Sequence, residues 1–167
     1  MWKKILLLLA CTMTISLLWF TVLETIYAQT LVVSGNAALS IAGSESRLRI
    51  EEQKGEHFFV VTTRIDGNRV QYPQKFGSLL IPTAMILAWQ LFSFFQQKRK
   101  QAIKNTTVNI LLIFASYLFF LLLLTAYHTS GLAKYIYDMM MDTFYIIALV
   151  IILVDNIKHP VFYRRGS

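Results

Sequence analysis

Asp138 and Asp142 form the pair of residues whose spacing most resembles a chemical site. They lie four residues apart, so they would share one face of a helix, and His128 and Tyr135 lie nearby in the sequence. Carboxylates and an imidazole together suit ion binding or acid–base chemistry, so His128, Asp138 and Asp142 define a candidate polar outer cleft. Two carboxylates at a helix start would also stabilise the helix dipole, which is the simpler interpretation.

The residue types give little indication of nucleophilic catalysis, zinc binding or phosphate binding. Cys11 is the one cysteine, and no His or Arg on a nearby helical turn would generate its thiolate. His57, His128 and His159 are too scattered for a zinc motif, and the chain has no glycine-rich phosphate loop. We therefore predict a protein that is not an enzyme and that has no catalytic residue, no metal and no cofactor.

The composition indicates a membrane protein. Hydrophobic residues make up 56% of the 167 positions and charged residues only 15%, both far toward the apolar side for a soluble domain. The formal net charge is +7, but the Lys and Arg residues form short clusters beside apolar runs and no continuous basic face. The charge therefore indicates membrane topology, and we predict no nucleic-acid partner.

Four apolar runs approach the length that spans a bilayer, which is about 20 residues per helix. They cover residues 5–23, 79–95, 108–127 and 139–154. The last run is short unless Asp142 lies near the membrane surface. Glu24 and Asp155 also fall at predicted span ends, where we expect solvated boundary residues.

Basic residues predict the orientation of these spans, because Lys and Arg near span ends are retained in the cytoplasm. One cluster precedes the first span, a second fills the link between the second and third spans, and a third follows the fourth span. The members are Lys3, Lys4, Lys98, Arg99, Lys100, Lys104, Lys158, Arg164 and Arg165. Both termini are therefore predicted to lie in the cytoplasm, with the chain in the plasma membrane and the segment between the first two spans outside.

The first apolar run has a competing interpretation as a cleaved signal peptide. Lys3 and Lys4 would form its basic region, and Ala28 would be the last residue before cleavage. Tyr27 and the long apolar run make this cleavage site mediocre, so a retained membrane anchor is the preferred interpretation.

Residues 47–72 predict a small three-stranded antiparallel sheet. The sequence QKGE at residues 53–56 and the sequence DGN at residues 66–68 are turn signals. Leu48, Ile50, Phe59, Val61 and Val70 would share one apolar face. A meander of this size is marginal alone, so that face should lie on helix ends, on the lipid interface or on a partner. Upstream, residues 30–42 would continue the first span as a helix or lie in the interface.

The opposite face of the sheet is the predicted partner-binding surface. Adjacent strand residues point to opposite faces, so we expect Phe59 to pack against the protein and Phe58 to face outward. The residues assigned to partner binding are Phe58, Val60, Arg64 and Arg69.

These elements predict an α-helical membrane protein. Its fold would be a four-helix transmembrane bundle with a small extracytoplasmic antiparallel β-sheet between the first and second helices. The first span would occupy residues 1–28, and the amphipathic segment and sheet residues 29–78. Three further spans, with a basic cytoplasmic loop and tail, would occupy residues 79–167.

This order of parts resembles the small membrane proteins that accompany exosortases, the membrane-embedded bacterial enzymes that sort proteins. Tyr72, Phe76, Gly77, Leu79 and Leu80 correspond to the Tyr/Phe-Gly-Leu-Leu-like entry of those proteins into their second span. The resemblance implies an accessory role beside a membrane enzyme that acts at the outer face. The catalytic residues would then belong to the enzyme and not to this chain.

Three hypotheses about function follow from these patterns. In the first, the outer sheet binds another membrane protein or an exported protein. In the second, the chain handles a small molecule or an ion through the outer cleft of His128, Asp138 and Asp142. In the third, the chain is an immunity protein that blocks a membrane toxin, which differs from the first only in the partner.

Overall fold

The computed structural model describes residues 2–53, 55–65 and 68–160, and within them the side chain of Asp142 is outside the description. The basic tail residues Arg164 and Arg165 and the Asp66-Gly67 turn signal lie outside the described residues. The described chain is mostly helical, with three antiparallel strands between the first and second long helices. This order of elements confirms the order predicted from the sequence.

The first long helix is continuous over Trp2–Ile41. It consists of α1 (Trp2–Leu18), a π-helical segment (Trp19–Leu23) and α2 (Glu24–Ile41). At a rise of 1.5 Å per residue it is about 60 Å long, roughly twice the thickness of a bilayer core. Of the two alternatives predicted for residues 30–42, the structure has the helix that continues the first apolar run, and the predicted division after residue 28 falls inside that helix.

A glycine ends this helix and turns the chain toward the sheet. Gly43 has a φ of +67°, which a residue without a Cβ adopts at little cost. The amide of Ser44 donates to the carbonyl of Leu39, and the amide of Gly43 donates to the carbonyl of Ser40. This pair of bonds is the Schellman pattern of a helix C-terminus, and it places the next residues at the start of the first strand.

The remaining helices are α3 (Gly77–Gln96), α4 (Arg99–Ala126) and α5 (Gly131–Lys158). Each of these helices contains one of the predicted apolar runs. The one exception is residue 127, the last residue of the third run, which lies just after the end of α4. By length and composition, three helices within the described residues could cross a membrane, or four if the two arms of α5, which meet at 56°, count as one span. α5 begins earlier than the predicted run because the hydroxyl of Ser130 accepts a hydrogen bond from the amide of Ala133. α3 packs against α1, α4 and α5.

The strands are β1 (Arg47–Gln53), β2 (Glu56–Ile65) and β3 (Asn68–Lys75), arranged in the order β1-β2-β3. Leu48 lies opposite Val61 and Ile50 opposite Phe59, while Val70 lies opposite Thr63. Directly opposed residues project from the same face, so the predicted apolar face is confirmed.

The apolar face of the sheet lies against the helices. Phe59 is fully buried, and its ring centroid is 4.5 Å from that of Phe76, which precedes α3. The side-chain amide of Asn36 on α2 donates to the carbonyl of Leu48 and accepts from its amide, each at 2.8 Å. A Cβ added at Gly35 would come within 2.5 Å of the Leu48 side chain. The edge of β1 is thus held closely on α2.

Candidate functional site

Three arginines converge at one end of the sheet. They line a groove of about 480 Å³ together with one glutamate and two threonines; we call this site the arginine groove. Its lining residues are Glu45, Arg47, Thr62, Thr63, Arg64 and Arg69.

The strand register brings these side chains together from distant points of the sequence. Arg64 of β2 lies directly opposite Arg69 of β3, and Arg47 of β1 lies opposite Thr62 of β2. Glu45 comes from the short connection that follows the glycine-terminated end of α2. The hydroxyls of Ser46 and Thr63 lie 2.8 Å apart and join this connection to β2. The groove therefore rests on a sheet that is itself fixed to the helices.

The charges of the arginine groove are only partly compensated. Arg64 lies 3.3 Å from a carboxylate oxygen of Glu45, and both side chains are largely exposed, so this pair contributes little stability. Arg47 donates to the carbonyls of Ser44 and Ser46. Arg69 makes no hydrogen bond or ion pair with any residue that the structure describes.

Like charges directly opposite each other on neighbouring strands are destabilising, so the arrangement of Arg64 and Arg69 works against the stability of the sheet. Among the described lining residues, three guanidinium groups face one carboxylate, which leaves a surplus of positive charge there. Guanidinium groups bind carboxylate and phosphate groups through paired N–H donors. The arginine groove is therefore suited to an anionic group.

Of the four residues predicted to bind a partner, the structure brings Arg64 and Arg69 together. Phe58 lies on the same face of the sheet and is half-buried. Val60 is only 2% exposed, so it offers little surface in the isolated chain, and its role in partner binding stays a prediction. The guanidinium of Arg49, which lies opposite Val60 on β1, reaches across β2 to the side chain of Gln71 on β3, at 3.1 Å.

Aromatic rings contact the residues of the predicted outer cleft. His128 stacks on Tyr72 of β3 with ring centroids 3.9 Å apart. The hydroxyl of Tyr127 donates to Asp138 at 3.4 Å, and Tyr127 also contacts the His128 ring. The side chain of Asp142 lies outside the described residues. These contacts tie β3 to the α4–α5 connection, and among the described residues no group of three His, Cys, Asp or Glu side chains could hold a metal ion.

A buried polar cluster lies at the other end of the helices and was missed by the sequence reasoning. Asp155 of α5 is 6% exposed and accepts hydrogen bonds from the indole of Trp89 on α3 at 2.8 Å and from the amide of Asn105 on α4 at 3.1 Å. The expectation that Asp155 is a solvated boundary residue is therefore wrong. α3 and α4 cover it on the side where we expected solvent.

Glu24 behaves closer to the prediction for a span end. Its side chain is partly exposed, and its carboxylate oxygen lies 3.7 Å from the Cβ position of Gly77 at the start of α3. A carboxylate beside a helix N-terminus is electrostatically favourable, so Glu24 supports the entry of the chain into α3.

A scan against protein-family models finds no match for this chain, and neither do searches of curated proteins and of solved structures. The chemistry of the arginine groove therefore carries the functional argument.

Proposed function

We propose that this chain is a non-enzymatic integral membrane protein whose β-sheet, on the outer side of the membrane, binds an acidic segment of another membrane protein or of an exported protein. The observation that carries the proposal is the arginine groove, in which Arg64 and Arg69 are directly opposed and incompletely paired. Such an arrangement costs stability in the isolated sheet and is relieved when an anionic group enters.

The long apolar helices support the membrane part of the proposal. On α1, Leu9, Met13 and Leu17 recur every four residues and are each more than half exposed, which gives the helix an apolar stripe that suits lipid contact. The proposed arrangement is a four-helix transmembrane bundle in the inner membrane with both termini in the cytoplasm, following the distribution of basic residues.

An accessory role fits this arrangement. A sheet fixed on helix ends can present a preorganised charged groove to a protein that is itself held in, or passing through, the same membrane. Assistance to an exosortase-type sorting enzyme is one form of this role, and it rests on the resemblance in the order of parts. An immunity role would use the same groove toward a toxin.

Removing the two opposed arginines tests the proposal. Arg64→Gln with Arg69→Gln is expected to lower the affinity for the partner by at least about 100-fold. Each lost charge-assisted hydrogen bond contributes about 1.5–3 kcal/mol, and 1.4 kcal/mol corresponds to a factor of ten. The measurement is co-purification from crosslinked membranes in mild detergent, quantified against the amount of this chain.

The matched control is Lys134→Gln, which removes an exposed cation from α5 on the same side of the molecule. It is expected to leave co-purification unchanged. If the double arginine variant retains its partner while Asp138→Ala with Asp142→Ala abolishes function in stable protein, the arginine groove is not the binding site and the outer cleft takes its place.

A further inference from the structure

The two edge strands of the sheet, β1 and β3, differ in their contacts with the helices. On the edge of β1, the side-chain amide of Asn36 on α2 bonds both the amide and the carbonyl of Leu48. Along β3, Arg69, Gln71, Pro73 and Lys75 are all exposed. Within the described residues no backbone hydrogen bond joins these four positions to an element beyond the sheet. The edge of β1 is therefore bonded to α2 at Leu48, whereas the edge of β3 is open.

The register identifies which backbone groups face the open edge. Leu48 directs its amide and carbonyl toward Asn36, away from β2, so the opposed residue Val61 must direct its own groups toward β3. Tyr72, opposite Val61, then bonds to β2. Because the direction alternates along a strand, Gln71 and Arg69 direct their amides and carbonyls outward. Pro73 also faces outward, but it has no N–H to donate.

The charges beside the open edge of β3 favour pairing with an acidic strand. β3 contains Arg69 and Lys75 and no acidic residue. Lys75 already forms an ion pair with Glu56 of β2, whereas Arg69, where the arginine groove begins, forms no ion pair with a described residue. A second copy of β3 alongside would bring no acidic residue to Arg69, so pairing between two copies would leave this charge uncompensated. An acidic strand would find complementary charge.

We propose that an extended acidic segment of a partner adds to β3 as a fourth strand. Its backbone would bond the outward groups of Arg69 and Gln71. Since alternate side chains of a strand share a face, its acidic residues would lie beside Arg69, on the face of the sheet that carries the arginine groove, and Arg64 lies one strand further on. Recognition would then combine main-chain bonds with charge, as in other cases of strand addition. This inference rests on the proposed function and specifies how the partner binds.

The probe for this mode is a synthetic ten-residue peptide that alternates Glu with Thr. The full-length protein is kept in detergent micelles, binding is measured by fluorescence anisotropy, and amide hydrogen exchange of β3 is measured with and without saturating peptide. We expect binding to slow exchange at least tenfold at the amides of Arg69 and Gln71. Val70 and Tyr72, which already bond to β2, serve as internal references.

Two control peptides separate charge from strand pairing. Replacing Glu by Lys should abolish binding, because the charge is reversed. Methylating the backbone nitrogens on the side that faces β3 keeps the charges but prevents main-chain bonds, and it should also abolish binding.

Each remaining outcome overturns the inference. Binding of the acidic peptide that leaves exchange at Arg69 and Gln71 unchanged, or that survives backbone methylation, would mean that the arginine groove binds anions without strand addition. The proposed function would stand in that case. If the acidic peptide does not bind, the basic residues and Pro73 only protect the edge from aggregation, and co-purification with the double arginine variant decides the proposed function separately.

Discussion

Replacing Phe59 by alanine is expected to lower the free energy of unfolding by about 3–5 kcal/mol, the usual cost of removing a fully buried aromatic ring. Phe59 is fully buried between the sheet and the helices and packs on Phe76. Its loss would leave a cavity where β2 meets the start of α3. The effect should appear as a lower midpoint of unfolding in detergent and as less folded protein in the membrane.

The neighbouring residue provides the control. Phe58 projects from the opposite face and is half-buried, so Phe58→Ala should leave stability nearly unchanged and should weaken partner binding instead. Equal destabilisation by the two substitutions would mean that the sheet does not pack against the helices through the face that contains Phe59.

Replacing Asp155 by alanine is expected to be the second large effect. The carboxylate accepts hydrogen bonds from Trp89 and from Asn105, and both bonds would be lost. Each hydrogen bond to a charged group contributes about 1.5–3 kcal/mol, and Asn105 would keep its bond to the side chain of Gln97. The measurement is again unfolding in detergent, compared with Val154→Ala as a control at the adjacent position, which is exposed in the structure.

A double-mutant cycle assigns this cost to a specific bond. Trp89→Phe removes the indole donor and keeps an aromatic ring, so in the Asp155→Ala background it should cost less than in the unmodified protein. Identical costs in both backgrounds would show that the indole and the carboxylate are not coupled. An Asp155→Ala protein as stable as the original would contradict the importance of the buried cluster.

The helices and strands could be predicted from the sequence because their signals are local. The apolar runs are long, and the turns on either side of β2 carry glycine. The alternation in β1 and β2 was sufficient to place Leu48, Ile50, Phe59 and Val61 on one face. The continuation of the first apolar run into α2 was one of two alternatives that the small and amphipathic residues 30–42 left open.

Features that depend on several elements at once could not be predicted in this way. Asp155 is buried because side chains from α3 and α4 converge on it, and no spacing within α5 reveals that. Val60 is buried although it lies on the outward face of β2, and Arg49 reaches across that strand to Gln71. The arginine groove was predicted only in part, since Arg64 and Arg69 were identified but Arg47 and Glu45 join them only through the register and the end of α2.

Photocrosslinking from position 71 tests the central claim, that an acidic partner binds beside the arginine groove. A photoreactive phenylalanine replaces Gln71 at the open edge of β3 in intact membranes. As the control, a second variant of this chain carries the same photoreactive residue in place of the exposed Tyr135 on α5. The account predicts one defined adduct from position 71, none from position 135, and loss of the adduct when Arg64→Gln and Arg69→Gln are added. An adduct that persists without the two arginines, or that forms equally from position 135, would contradict it.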